Sequence, residues 1–138
     1  MWRYVIVAAL LTGCAQLPPG PQDIEARKFE SIPDKAAIYI VCESTSALLG
    51  APLWLGQGAQ ITLWPGNYHR WVVEPGSHTI AAIGVSPASI TIQAQAGRIY
   101  FVHYRLEGAW SWEGVVNSTL KLMDDQAGRV RVRQAVLL

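Results

Sequence analysis

From Ala36 onward, apolar and polar residues alternate in short runs broken by glycine, proline and small polar residues. A period of two places successive side chains on opposite faces of a strand. Ser89–Gln95 shows it most clearly, with Ile90, Ile92 and Ala94 against Ser89, Thr91, Gln93 and Gln95. The next run sets Tyr100, Val102, Tyr104 and Leu106 against Ile99, Phe101, His103, Arg105 and Glu107. Ala96-Gly97-Arg98 lies between them as the turn of a hairpin. "AAIYIVC" (36–42) reads as an apolar first strand, and two more flank Gly56-Gln57-Gly58. "NYHRWVVEPGSHTIAAIG" carries the strongest hairpin signal, with Pro75 and Gly76 as the central pair of its turn. "AWSWEGVV" and "STLKLM" supply the last strands. Turn signals about every ten residues predict a mainly β fold, an antiparallel β-sandwich of about seven to nine short strands.

The end of the chain supports two patterns. As a strand, "GRVRVRQAVLL" aligns Arg129, Arg131 and Arg133 along one edge. As a helix, it follows Asp124-Asp125 as cap and first turn, with arginines later, as the helix dipole prefers. The helix is the preferred reading, short and C-terminal, with Ala127, Val130, Gln134 and Leu137 turned to the sheet.

The first residues follow a different logic. Arg3 precedes the apolar run Tyr4–Leu11, and Thr12-Gly13-Cys14 follows it. That is the layout of a secretory signal, and it is too short to span a bilayer, which takes ~20 apolar residues. "LTGC" at the end of this run resembles the lipobox of bacterial lipoproteins, with Leu11, Thr12 and Gly13 before Cys14. The resemblance implies cleavage of residues 1–13, a diacylglycerol thioether on Cys14 and acylation of its new amino group. One acyl chain binds marginally and two or more anchor stably. Ala15 rather than aspartate after the cysteine implies sorting to the outer membrane. The alternative is an ordinary cleaved leader with Cys14 free or bridged. If the Cys14 sulfur carries lipid, Cys42 has no disulfide partner and is expected as a buried small hydrophobe. Residues 14–35 then form a tether, stiffened by Pro18, Pro19 and Pro21, with at most a short helical turn in "DIEARKFE" before Pro33. Residues 36–138 form the sandwich.

Composition narrows the function. The 138 residues are 51% hydrophobic and 15% charged, which suits a folded core. Net charge is +1, and with Arg3 in the leader the remainder balances to zero, so no basic field recruits nucleic acid.

A second resemblance covers roughly residues 26–138. "AAIYIV", "GNYHRWVVEPGSHTI", "AGRIYFVHY" and "LKLMDDQAGR" are similar to a family of small, functionally uncharacterised Gram-negative lipoproteins, and more distantly to PEGA-type sandwich modules. Its Gly-x-Tyr, Pro-Gly-x-His and Gly-x-x-Tyr motifs correspond to Gly66–Tyr68, Pro75–His78 and Gly97–Tyr100. Leu55-Gly56 departs from the family's Asp-Gly, and Cys42-Glu43 stands where the family ends its first strand in arginine. The resemblance carries no activity.

Candidate chemistry is sparse. Across a Pro75-Gly76 hairpin, His69 and His78 share a face ~13 Å apart at the strand rise, too far to hold one zinc ion together. His78 is expected to be structural, bonded to a turn carbonyl, and His103 to be solvated beside Arg105 and Glu107. No metal or cofactor is expected. Glu107 and Glu113 flank the Trp110/Trp112 segment and could serve a hydrolase only if a cleft set them ~5–10 Å apart. Trp54 and Trp71 lie within strands and are expected in the core. Trp64, Trp110 and Trp112 lie at strand ends, where rings either cap the core or stack on sugars or a partner protein. The preferred reading is a non-enzymatic envelope module held to the outer membrane through Cys14. A glycan-binding module using the tryptophans is the alternative.

Overall fold

The computed structural model describes residues 18–44, 50–82, 88–108 and 116–138. The strands are β1 (Ala36–Ser44), β2 (Ala51–Leu55), β3 (Ala59–Leu63), β4 (Asn67–Val73), β5 (Gly76–Ala82), β6 (Ala88–Ala94), β7 (Ile99–Gly108), β8 (Val116–Met123) and β9 (Val136–Leu137). They form two sheets, β8-β7-β1-β4-β9 and β3-β2-β5-β6. Helices α1 (Pro21–Ala26) and α2 (Asp125–Gln134) complete the described elements. The chain is therefore a β-sandwich with a short C-terminal helix. Most strand pairs are antiparallel, while β1 with β7 and β4 with β9 run parallel.

The alternation decides which side chains meet between the sheets. Ile38, Ile40, Val102, Tyr104 and Leu106 from the larger sheet pack on Leu53, Leu55, Leu63, Ile80 and Ile92 from the smaller one. Strand positions follow the sequence pattern, but two connections differ from it. β4 and β5 do not form a hairpin, nor do β6 and β7, since each pair divides between the two sheets. A turn signal marks where a strand stops and leaves its next partner open. At Pro75-Gly76 the chain instead folds over the core, so Val73 and Ile80 enter it from opposite layers. The Gly97-x-x-Tyr100 motif closes the other crossing: the Tyr100 hydroxyl accepts from the Gln95 amide (3.0 Å) and donates to the Gln93 carbonyl (3.2 Å).

The outer face of the larger sheet holds a second core. Ala37, Tyr39, Val41, Tyr68 and Phe101 pack there against Ala26, Phe29, Val132 and Ala135. The folded unit therefore begins at α1, well before Ala36, and residues 21–29 are not free tether. Two tyrosines from the strand motifs hold α1 in place. The Tyr39 hydroxyl donates to the Ala26 carbonyl (2.7 Å), and the Tyr68 hydroxyl donates to the Asp23 carboxylate. Asp23 is only 4% exposed, and Arg27 pairs with it at 2.8 Å. Arg27 also donates to the Ala135 carbonyl (2.7 Å), tying α1 to the end of α2.

α2 forms as its caps predict, with the Asp124 carboxylate accepting from the Ala127 amide at 2.8 Å. Its buried face is not the expected one. Gly128, Val132 and Ala135 face the sheet, Val130 is 46% exposed and Gln134 is open to solvent. Leu137 sits in β9 beside Tyr68. The cause is Phe101, whose ring fills the space a side chain at position 128 would need. The helix rotates to put its glycine there. Arg129 and Arg133 then stack over the Phe29 ring at 5.1 and 5.4 Å.

Candidate binding cleft at one end of the sandwich

A cleft of about 430 Å³ opens where β1 and β7 end, beside the last turn of α2 and the Pro65-Gly66 turn. Glu43 is its centre. The strand alternation turns Val41 and Glu43 to the outer face, and the parallel register sets them beside His103 and Arg105. One Glu43 oxygen lies 2.9 Å from His103 Nε2, and the other pairs with Arg131. Arg105 pairs with Glu107 at 2.9 Å. Gln134 lies on the wall that α2 forms, and the Gly66 amide donates to the Cys42 carbonyl (3.0 Å), closing the opposite wall. The cleft therefore presents guanidinium, imidazole, carboxamide and carboxylate groups side by side.

Two histidines are held below their ordinary protonation range. Burial lowers His69; burial, then the charges of Arg105 and Lys121, lower His103. The Glu43 contact works the other way for His103, and its charge is already shared with Arg131. The unfolded chain takes up these protons first, so this stability is full above ~6.5 and is lost as pH falls through the depressed native values. The urea midpoint is expected to fall between pH 7 and 5, with a flatter profile in a His69→Gln/His103→Gln variant. A midpoint that rises on acidification over that range contradicts this assignment.

The expected site residues separate. His103 is not solvated, as its sequence face suggests, but half-buried against Glu43. His78 is structural: its Nε2 lies 2.6 Å from the Glu74 carbonyl, and its ring meets Trp71 edge-on at 5.4 Å. It stands by Pro75 and Gly76, at the end opposite the cleft. His69 pairs with Ile40 on the inner face, His103 with Val41 on the outer one, so the three histidines do not converge. Among the described residues, no group of three His, Cys, Asp or Glu side chains is arranged to hold a metal ion. Cys42 is fully buried, and burial pushes its thiol up to about 12. Trp71 packs against the core from one side, whereas Trp54 alternates outward on β2 and is half-exposed, not a core residue.

Trp64 is 45% exposed immediately before Pro65. Its indole lies so close to Gly50 that a Cβ there would sit 2.7 Å from the ring, so glycine makes its seat. Trp110, Trp112, Glu113 and Cys14 lie outside the described residues. Gly108 and Val116, which bracket the segment carrying Trp110 and Trp112, pair at this same end of the larger sheet. Glu43, Arg131 and Gln134 were not candidates on sequence grounds. The available signal was a charged residue, Glu43, directly after the apolar strand 36–42. No protein-family model matches the chain, and no curated protein matches it.

Proposed function

We propose that the chain is a lipid-anchored, non-enzymatic interaction module of the cell envelope, held to the outer membrane through Cys14 and facing the periplasm. The observation that carries this reading is the placement of "LTGC" behind a short apolar run and directly ahead of a sandwich. Only Ala15–Gly20 separate Cys14 from α1, a reach of at most ~25 Å, so an acylated Cys14 keeps the domain close to the lipid surface. The mainly polar cleft then stands on a body held against a membrane, which suits capture of a neighbouring envelope component.

Mass spectrometry of membrane-extracted protein tests the anchor directly: the expected mature chain starts at Cys14 and carries acyl mass. Thiol titration gives an independent reading. With Cys42 buried and its thiol near 12, and Cys14 a thioether, Ellman's reagent is expected to find no thiol in the native protein and one after denaturation. A fast-reacting native thiol, or a mature chain that starts elsewhere without lipid, sinks the proposal.

A further inference from the structure

We propose that the cleft around Glu43 binds an uncharged stretch of linked sugar rings, with Trp64 as the stacking platform beside it. The proposal deepens the envelope reading and rests on it only for where such a glycan is met.

The side chains select this chemistry over a free anion. Both arginines in the cleft already have carboxylate partners, Arg131 with Glu43 and Arg105 with Glu107. An anion would have to displace one of those carboxylates. It would also face the last turn of α2, whose carbonyl end carries partial negative charge. A cation would meet two guanidinium groups. A sugar hydroxyl faces neither obstacle, because it donates and accepts at once. It can donate to Glu43 while accepting from Arg131 or the Gln134 amide, leaving the ion pair in place. His103 adds to this set: neutral, with Nε2–H donated to Glu43, its Nδ1 remains an acceptor. Planar side chains of this kind hold hydroxyls in fixed directions, and the pairs among them limit the entropy lost on binding.

The aromatic component stands one residue from the Pro65-Gly66 wall. A large ring at 45% exposure, seated against Gly50, is preorganised apolar surface on the residue next to the Pro65-Gly66 wall of the cleft. Sugar rings present hydroxyls at their edges and C–H groups on their faces, so one ring can use the cleft and the next can stack on the indole. The cleft volume of about 430 Å³ accommodates one or two such rings.

Co-sedimentation of the full-length, detergent-extracted protein with purified peptidoglycan sacculi tests this, with lipopolysaccharide as a second arm to distinguish the source of the sugar. Retention on one of them is expected, weakened about tenfold by Trp64→Ala and by Arg131→Ala. Both residues are partly exposed, so the variants should keep the parent's melting curve. Arg98→Ala, an exposed arginine at the far end of the sandwich, should bind as the parent does. Protein left in solution by both glycans overturns the proposal, as does retention that survives both variants or falls equally in Arg98→Ala. Acylation of Cys14 is read separately by mass, so failure here leaves the anchor standing, and the reverse.

Discussion

Replacing Gly128 by alanine is expected to destabilise the protein by about 2–4 kcal/mol, although alanine is the better helix former by about 1 kcal/mol. The new Cβ would lie 2.1 Å from Cγ of Phe101, 2.4 Å from its Cβ and 2.6 Å from its Cδ1. Those atoms are the root of a ring packed between Phe29 at 5.8 Å and Tyr39 at 5.3 Å, so they cannot swing aside. α2 must lift instead, which uncovers Val132 and loosens Arg131 from Glu43. A melting-temperature loss of roughly 10 °C is the expected reading, with Gly128→Val worse. Gly128→Ala combined with Phe101→Ala, which removes Cγ and Cδ1 from beside the new methyl group, should cost less than the two changes summed. Additive costs, or an alanine variant as stable as the parent, would show that α2 does not sit this close to the sheet.

The same contact explains what could be read in advance and what could not. Strand positions were legible because alternation is local: Ser89–Gln95 and Ile99–Glu107 split into faces just as they do in the sandwich. The helix was legible from Asp124, because a cap acts within three residues. Its buried face was not. A hydrophobicity pattern scores Val130 and ignores Gly128, whereas the packing uses the absence of a side chain at 128. Strand pairing was also beyond local signals, since Pro75-Gly76 and Ala96-Gly97-Arg98 end strands equally well in a hairpin or in a crossing between layers. The cleft is non-local altogether. Glu43, His103 and Arg131 come from β1, β7 and α2, and only the parallel β1–β7 register together with the rotation of α2 brings them into contact.

The aromatic strand motifs gain a physical meaning in the second core. Tyr39 and Tyr68 use their rings on the outer face of the sheet, stacked 6.2 Å apart, and their hydroxyls to receive α1. An apolar residue at either place would fill the volume and leave the Ala26 carbonyl or the Asp23 carboxylate short of a donor, a loss of about 1–3 kcal/mol for a buried group. These tyrosines therefore fix α1 to the outer face of the sheet.

Phe29→Ala is expected to release that segment. The ring packs on Tyr39 (5.4 Å) and Phe101 and lies under Arg129 and Arg133. Phe29 also holds φ at 53°, a left-handed conformation costing an aromatic residue about 1–2 kcal/mol, which its burial must offset. Truncation loses about 3–5 kcal/mol of core contact and recovers part of the strain, for a net cost of about 2–4 kcal/mol. The loss should be local. Amides of the α1 turn, such as Ile24 bonded to the Gly20 carbonyl at 3.0 Å and Arg27 bonded to the Asp23 carbonyl at 3.0 Å, should exchange much faster while those of β1 and β7 remain protected. Trypsin should cut after Arg27 and Lys28 in the variant long before it cuts the sheet. Unchanged exchange and cleavage would mean that Asp23, Tyr39 and Tyr68 hold α1 without the ring. If α1 is released, the chain between Cys14 and the first residue held to the sandwich grows from Ala15–Gly20 to Ala15–Glu30, ~50 Å at full polyproline extension, since Ser31 and Lys35 stay bonded to Gly97. With Cys14 acylated as proposed, that would be the difference between a cleft held near the lipid and one able to reach further from it.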